Sequence, residues 1–368
     1  MPEMQRLEIR RAETRRGFLR TLGGSALALA AGPRAVCAAV GRRYGIAFTS
    51  FAVRLQRGRD LIRGAGPSGL SAEALVELCH SFGADGCQLD ISQLASTEPA
   101  YLDGLKRKLG DAGLFVELAA PGKIFEDEAY FANIARIARA LGATRLRVAL
   151  LHGRRYEDFA SLEAWKTFAD HWREAVPRAK AGLDRHKLEV GIENHKDWRA
   201  EELVDLIRSA GSPYLGACVD FGNNISLLED PLDTVTRLAP YAVTTHLKDM
   251  ALRPYAQGFE LAEVPLGAGI CPLEKMIAVL RQAKPELPMC LEMITRDPLQ
   301  VPYLEDKYWA SYGGRDAVRT SAFEKAVLSK ASQEPLPRVS GLSLEKMQEA
   351  EDENVRRSTA YAREKLKL

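Results

Sequence analysis

The sequence predicts an α/β chain in which eight parallel strands and their helices close into one (β/α)8 barrel, followed by a C-terminal extension. Three observations carry this. Eight short apolar or β-branched runs, at 44–51, 86–91, 114–119, 144–150, 188–194, 215–221, 242–248 and 288–293, alternate with helical sequence. Runs such as Leu215 to Val219 are almost continuously apolar, which suits parallel strands covered on both faces. Four runs end in Glu193, Asp220, His246 and Glu292, all residue types that bind metal. In a closed barrel the C-terminal strand ends form one face, and chemistry is done there.

Residues 1–39 stand apart from the fold. Thr14-Arg15-Arg16-Gly17-Phe18-Leu19-Arg20 precedes an apolar stretch from Leu22 to Ala31, and small residues surround Ala35 to Ala39. The pattern resembles a bacterial twin-arginine export signal, which implies a periplasmic protein exported already folded. The apolar stretch is too short for a bilayer core of roughly 30 Å, so no integral membrane segment is expected in the mature protein. Ala35-Val36 before Cys37 makes a poor lipoprotein box.

The barrel is expected over 41–295. Its helices are amphipathic: Leu75, Leu78, Cys79 and Phe82 share one face, as do Ile134, Ile137, Ala138 and Leu141. Asp230-Pro231 reads as an N-cap followed by Pro at the first helical position, and Cys271-Pro272 also puts Pro there. Gly83, Gly113 and Gly142 sit where helices stop before strands. Residues 296–368 form the extension. It opens with an aromatic stretch holding Tyr303, Tyr308, Trp309 and Tyr312, suited to packing beside the barrel mouth. It ends in a charged helix over 343–366, whose charges read as a solvated face.

The formal net charge is +2, and the seven Arg and three Glu of residues 1–39 account for more than all of it. Nothing in that balance asks for a nucleic-acid partner. The five cysteines after Cys37 include no CxxC pair, so neither a zinc knuckle nor a disulfide framework is legible.

Glu193, Asp220, His246 and Glu292 together would bring three negative charges to one point, and a divalent cation offsets that repulsion. Oxygen-rich ligands with one imidazole suit one Mn²⁺ ion first, with Mg²⁺, Co²⁺ or Zn²⁺ as alternatives. About two open positions would accept two vicinal substrate oxygens. A metal on a carbonyl stabilises the enediolate formed when a neighbouring carboxylate removes a proton.

The segments IEN at 192–194, VDFGN at 219–223, HLKD at 246–249, PLGAG at 265–269 and LEM at 291–293 fall in that order on successive units. In this order the chain resembles the xylose-isomerase-like TIM-barrel superfamily. That superfamily holds sugar isomerases and epimerases related to the tagatose/psicose 3-epimerases and, more distantly, endonuclease IV. The resemblance implies that Glu193, Asp220, His246 and Glu292 are metal ligands and that Glu193 and Glu292 are also the acid/base pair. It implies an isomerase or epimerase that could pair as a homo-oligomer. Two departures matter. Arg199 stands where ketohexose epimerases carry a Glu, and Asn223, itself a candidate substrate contact, where they carry a His; the Glu and His grip the free sugar in those enzymes. A 3-keto-glycoside lyase on the same barrel is therefore an alternative.

Several residues admit two readings. Strand alternation returns His195 to the side of Glu193, where it either orients substrate or is a hydrogen-bonded loop histidine. His152, ending the fourth run, is read likewise. Lys248 either neutralises an enolate or forms a structural ion pair. Asp90 and Glu117 either bond substrate hydroxyls or anchor loops. Gly267-Ala268-Gly269 lacks a dinucleotide fingerprint and reads as a turn before the last barrel helix. A DNA-repair endonuclease is disfavoured, because only His152, His195 and His246 fall at strand ends. A non-catalytic sugar-binding barrel would need no complete ligand set.

Overall fold

The eight expected strands form one parallel sheet that curls back on itself. The computed structural model describes residues 43–56 and 69–368, so the expected export signal lies outside the described residues. The chain runs through β1 (Tyr44–Ala47), β2 (Gly86–Asp90), β3 (Phe115–Pro121), β4 (Arg145–Ala149), β5 (Glu189–Glu193), β6 (Leu215–Asp220), β7 (Ala242–His246), β8 (Asp249–Tyr255), β9 (Gly258–Val264), β10 (Met289–Leu291) and β11 (Leu299–Val301). β10 pairs with β1, and β1 to β7 follow in order. The ring is joined beyond the strand ends. The Leu247 N–H donates to Cys290 O (2.7 Å) and the Glu292 N–H to Leu247 O (2.9 Å). Helices on the outside cover the ring, making the (β/α)8 TIM barrel.

The expected helix punctuation holds with small shifts. Helices Ala72–Ser81 and Glu128–Leu141 lie where the apolar stripes place them, and Asp230 caps Pro231–Leu238 through the Leu232 and Asp233 N–H groups. Gly142 closes its helix at φ 81°, a conformation that favours glycine. Pro272 is the N-cap rather than the first helical residue, and the helix runs Leu273–Ala283.

Strand alternation then decides what enters the barrel. A one-residue irregularity in β6–β7 pairing matters most. Ala217 is opposite Ala242, yet Cys218 is opposite Thr244 and Asp220 opposite His246. Without the extra residue Asp220 would face Thr245, and His246 would turn outward, because a one-residue slip flips a strand's faces.

Two elements differ from expectation. The first run stops at Ala47, and Phe48–Phe51 winds into a tight turn. The Ser50 hydroxyl donates to Leu291 O (3.0 Å) and accepts from the Met293 N–H (3.1 Å), which pins this turn to the last strand. Between β7 and the last barrel helix, β8 and β9 form an antiparallel hairpin joined by β11. The Gly267–Gly269 turn beyond it donates its Gly267 and Gly269 N–H groups to Asp249 Oδ2 (3.0 and 2.9 Å).

The extension packs closely. The Tyr308 hydroxyl donates to Ser226 O (2.9 Å), and Arg155 and Arg199 lie over the Tyr312 ring. The final helix, Leu344–Glu364, is not wholly a solvated charged face. Glu351 is completely buried and accepts from the Val53 N–H (2.7 Å) and Arg54 Nη1 (2.6 Å). No helix among the described residues is long and apolar enough to cross a membrane.

Replacing Glu351 with Ala strands the buried Val53 N–H and leaves Arg54 with Asp352 alone. A stability loss of about 1–3 kcal/mol is expected from denaturant unfolding. An unchanged midpoint would show that the final helix is not held this way.

Candidate metal centre and active-site cavity

Glu193, Asp220 and His246 are the last residues of β5, β6 and β7, and Glu292 follows the last residue of β10. The expected four therefore meet at the barrel mouth. His246 Nδ1 lies 3.4 Å from Glu193 Oε1, 3.3 Å from Glu292 Oε1 and 3.8 Å from Asp220 Oδ2. One ligand atom from each residue lies within 4.8 Å of all the others. Bonds of about 2.0–2.2 Å to a hard divalent ion require cis ligands roughly 3 Å apart and trans ligands roughly 4.3 Å apart. The set fits such an ion. The buried His246 Nδ1 also has no hydrogen-bond partner among the described residues.

The tautomer is set from below. Gln88 Nε2 donates to Glu117 Oε2 (3.3 Å), which turns the Gln88 amide oxygen toward His246 Nε2 (2.9 Å). An amide oxygen only accepts, so Nε2 carries a hydrogen and Nδ1 is the nitrogen turned to the carboxylates, where it holds either a proton or a cation. The Thr244 hydroxyl and Cys290 Sγ also donate to Glu117 Oε2. Burial pushes the Glu117 carboxyl up despite these bonds.

Each carboxylate has an outer partner. Arg147 Nε donates to Glu193 Oε2 (2.5 Å), and Asn223 Nδ2 to Glu193 Oε1 (3.0 Å). Lys248 Nζ donates to Glu292 Oε2 and lies 2.9 Å from Asp220 Oδ2, while the Thr49 hydroxyl donates to Glu292 Oε1 (2.8 Å). Burial alone would raise the Glu193 carboxyl, but Arg147 and His246 outweigh it and hold the group well below the usual range. Burial leads in pushing Asp220 up to about 6, with Glu292 and Glu193 adding to it against Lys248. Burial would strip His246 of its proton, yet Glu292 and Glu193 hold its pKa at about 10. The centre thus demands positive charge at Nδ1. Cys218 Sγ is also near Glu193 and His246, but burial and Glu193 keep it a thiol, leaving the carboxylates as the better set.

A cavity of about 790 Å³ opens above the centre. Of the candidate substrate contacts, His152 and His195 line it. Asn223, Lys248 and Glu117 do not. Asn223 and Lys248 are buried beside the carboxylates and hold them. Glu117 sits in mid-strand rather than at a strand end, because β3 continues to Pro121. Glu292 lines the cavity and Glu193 does not, so the expected acid/base pair is divided: Arg147 lies on the cavity side with its guanidinium on Glu193. Sequence reading missed Arg147, Gln88, Thr49 and Lys196. The inward parity of Gln88 and Arg147 on their strands was the available signal.

The profile of the family described as xylose isomerase-like TIM barrel matches residues 76–311. Over 218 residues the chain is 22% identical to 3-oxo-isoapionate decarboxylase of Pectobacterium atrosepticum, spanning 58% of this chain and 74% of that protein. It superposes on a D-psicose 3-epimerase determined in the presence of D-fructose with TM-score 0.57 and 15% identity, covering 87% of this chain and 98% of that one. A xylose isomerase-like TIM barrel protein from Mycobacterium smegmatis in complex with magnesium gives TM-score 0.52 and 17% identity, covering 77% and 98%.

Gln88→Leu removes the acceptor that orients His246. Divalent-metal affinity, measured by competition with a chromogenic chelator, should fall about 10–100-fold. Unchanged affinity would mean that Gln88 does not set the ring.

Proposed function

We propose that this chain, which belongs to the xylose isomerase-like TIM barrel family, is a metal-dependent enzyme that moves a proton at the carbon beside a carbonyl of a small carbohydrate. The observation that carries this reading is that Glu292 belongs to the buried ligand set and also lines the cavity. Glu193, Asp220, His246 and Glu292 would hold the ion, with Mn²⁺ preferred and Mg²⁺, Zn²⁺ or Co²⁺ alternatives. When bound, the ion supplies Lewis-acid polarisation of the substrate carbonyl. The magnesium of the mycobacterial relative supports a hard divalent ion.

Glu292 is the base in this reading. It takes the proton from the carbon beside the carbonyl, and the electron pair left behind moves onto the carbonyl oxygen. Returning the proton to the former carbonyl carbon, as the neighbouring hydroxyl passes its proton to the old carbonyl oxygen, gives an isomer; departure of a group from the next carbon with its bonding pair gives elimination. Thr49 and Lys248 fix the carboxylate that does this. Epimerisation requires a second base on the opposite face, and Glu193, which does not border the cavity and has Arg147 on its cavity side, is poorly placed to be one. Its part is to hold the ion. Isomerisation, or lyase chemistry through the same enediolate, is therefore preferred to two-carboxylate epimerisation. His152 and His195 are the side chains offered to substrate hydroxyls.

Free ketohexoses should be poor substrates. Arg199 stacks on Tyr312 and Asn223 is bonded to Glu193, so neither replaces the sugar-gripping residues of the epimerases. The reading also takes residues 1–39 as a twin-arginine signal and places the enzyme in the periplasm. N-terminal sequencing of the exported protein tests that part.

Glu292→Gln should keep bound metal by elemental analysis and lose about 10²–10⁴-fold in rate. Turnover in D₂O should place solvent deuterium beside the carbonyl when the product keeps that hydrogen. Isomerisation without solvent exchange, the mark of a hydride shift, would overturn the proton-transfer reading.

A further inference from the structure

The cavity wall has a cation without an anion. Lys196 lines the cavity and is only 3% exposed. Its ammonium donates to Asn223 Oδ1 (2.6 Å), a neutral acceptor, and no carboxylate among the described residues lies within ion-pair distance of it. The other cavity cations are already engaged. Arg147 is on Glu193, Arg154 on Glu157, and Arg296 Nη2 on Glu263 Oε1 (2.8 Å). Lys248 is buried behind Asn223 with Asp220 and Glu292. Burial, followed by the charges of Lys248 and Arg296, brings Lys196 down to about 8. Glu263 and Asp220 favour the ammonium from beyond ion-pair distance, but burying it with no carboxylate in direct contact remains costly.

We propose that Lys196, with Arg296 beside it, binds a carboxylate of the substrate, so that this site acts on oxo-sugar acids rather than on neutral sugars. The position of that carboxylate follows from the contacts. Asn223 is the single side chain between the Lys196 ammonium and Glu193, so an anion on Lys196 sits next to the metal centre. A monoanion is the better match than a phosphate. The subsite offers one unpaired ammonium and one guanidinium that is already shared with Glu263, whereas a phosphate dianion is recognised by several convergent donors. The charge at the centre points the same way. With a divalent ion in place, Arg147, Lys248 and the ion exceed the three carboxylates by one positive charge, and Lys196 adds another.

This inference rests on the proposed reaction for its choice of site, but its test is binding and needs no turnover. Gluconate, glucitol and glucose 6-phosphate are titrated calorimetrically into the intact protein, with and without Mn²⁺. Gluconate is expected to bind at least about tenfold more tightly than glucitol, the scale of one charge-assisted contact. Lys196→Met should abolish that preference and Lys196→Arg restore part of it, each read as the ratio of gluconate to glucitol affinity within one protein. The preference of the unaltered protein stands as evidence even if a variant fails to fold. Equal binding of gluconate and glucitol overturns the subsite, and tighter binding of the phosphate overturns its assignment to a carboxylate. The two readings fail separately. Solvent exchange on neutral sugars without any acid preference removes the subsite and keeps the reaction. Acid-selective binding with no exchange on any oxo-acid removes the reaction and keeps the subsite.

Discussion

Three carboxylates are buried within a few ångströms of one imidazole at the mouth of this barrel, and much of the surrounding structure exists to make that tolerable. An isolated ionised carboxylate in a protein interior is very costly unless paired and hydrogen-bonded. Here Arg147 takes the outer oxygen of Glu193, and Lys248 bridges Asp220 and Glu292. The Gly222 and Asn223 N–H groups donate to Asp220 Oδ1 (2.9 and 2.7 Å). These partners occupy the outward lone pairs. The inward ones, facing His246 Nδ1, are left for a cation.

The barrel supplies this convergence through strand parity and two local devices. The pairing irregularity between β6 and β7 rotates His246 inward beside Asp220. The Phe48–Phe51 turn, bonded through Ser50 and Thr49, fixes where the chain leaves β10 and so where Glu292 points. The division of labour follows. Arg147 screens Glu193 from the cavity, whereas Glu292 borders it while still bonded to Lys248 and Thr49, which is why the proposed reaction assigns the proton transfer to Glu292.

The strands and the ligand quartet were legible because they depend on local pattern: apolar runs of strand length, each ending in a carboxylate or imidazole. What surrounds the quartet was not legible, for identifiable reasons. Arg147 and Gln88 have inward parity on their strands, but parity alone does not say that their partners are Glu193 and His246, which lie on other strands. Glu117 was placed at a strand end because the sequence does not show that β3 continues to Pro121. For Lys248 and Asn223 spacing gives a place near the centre but cannot tell a cavity wall from a supporting layer; of the two roles open to Lys248, the structure has the ion pair. The β8–β9 hairpin and the buried Glu351 depend on partners remote in sequence, Leu299–Val301 for one and Val53–Arg54 for the other.

The most direct test of the metal centre is anomalous diffraction from crystals grown with Mn²⁺. One strong peak is expected at the barrel mouth, about 2.0–2.3 Å from His246 Nδ1 and from an oxygen of each of Glu193, Asp220 and Glu292. A fully occupied peak elsewhere, or none at saturating Mn²⁺ with His246 Nδ1 still facing the three carboxylates, would contradict it.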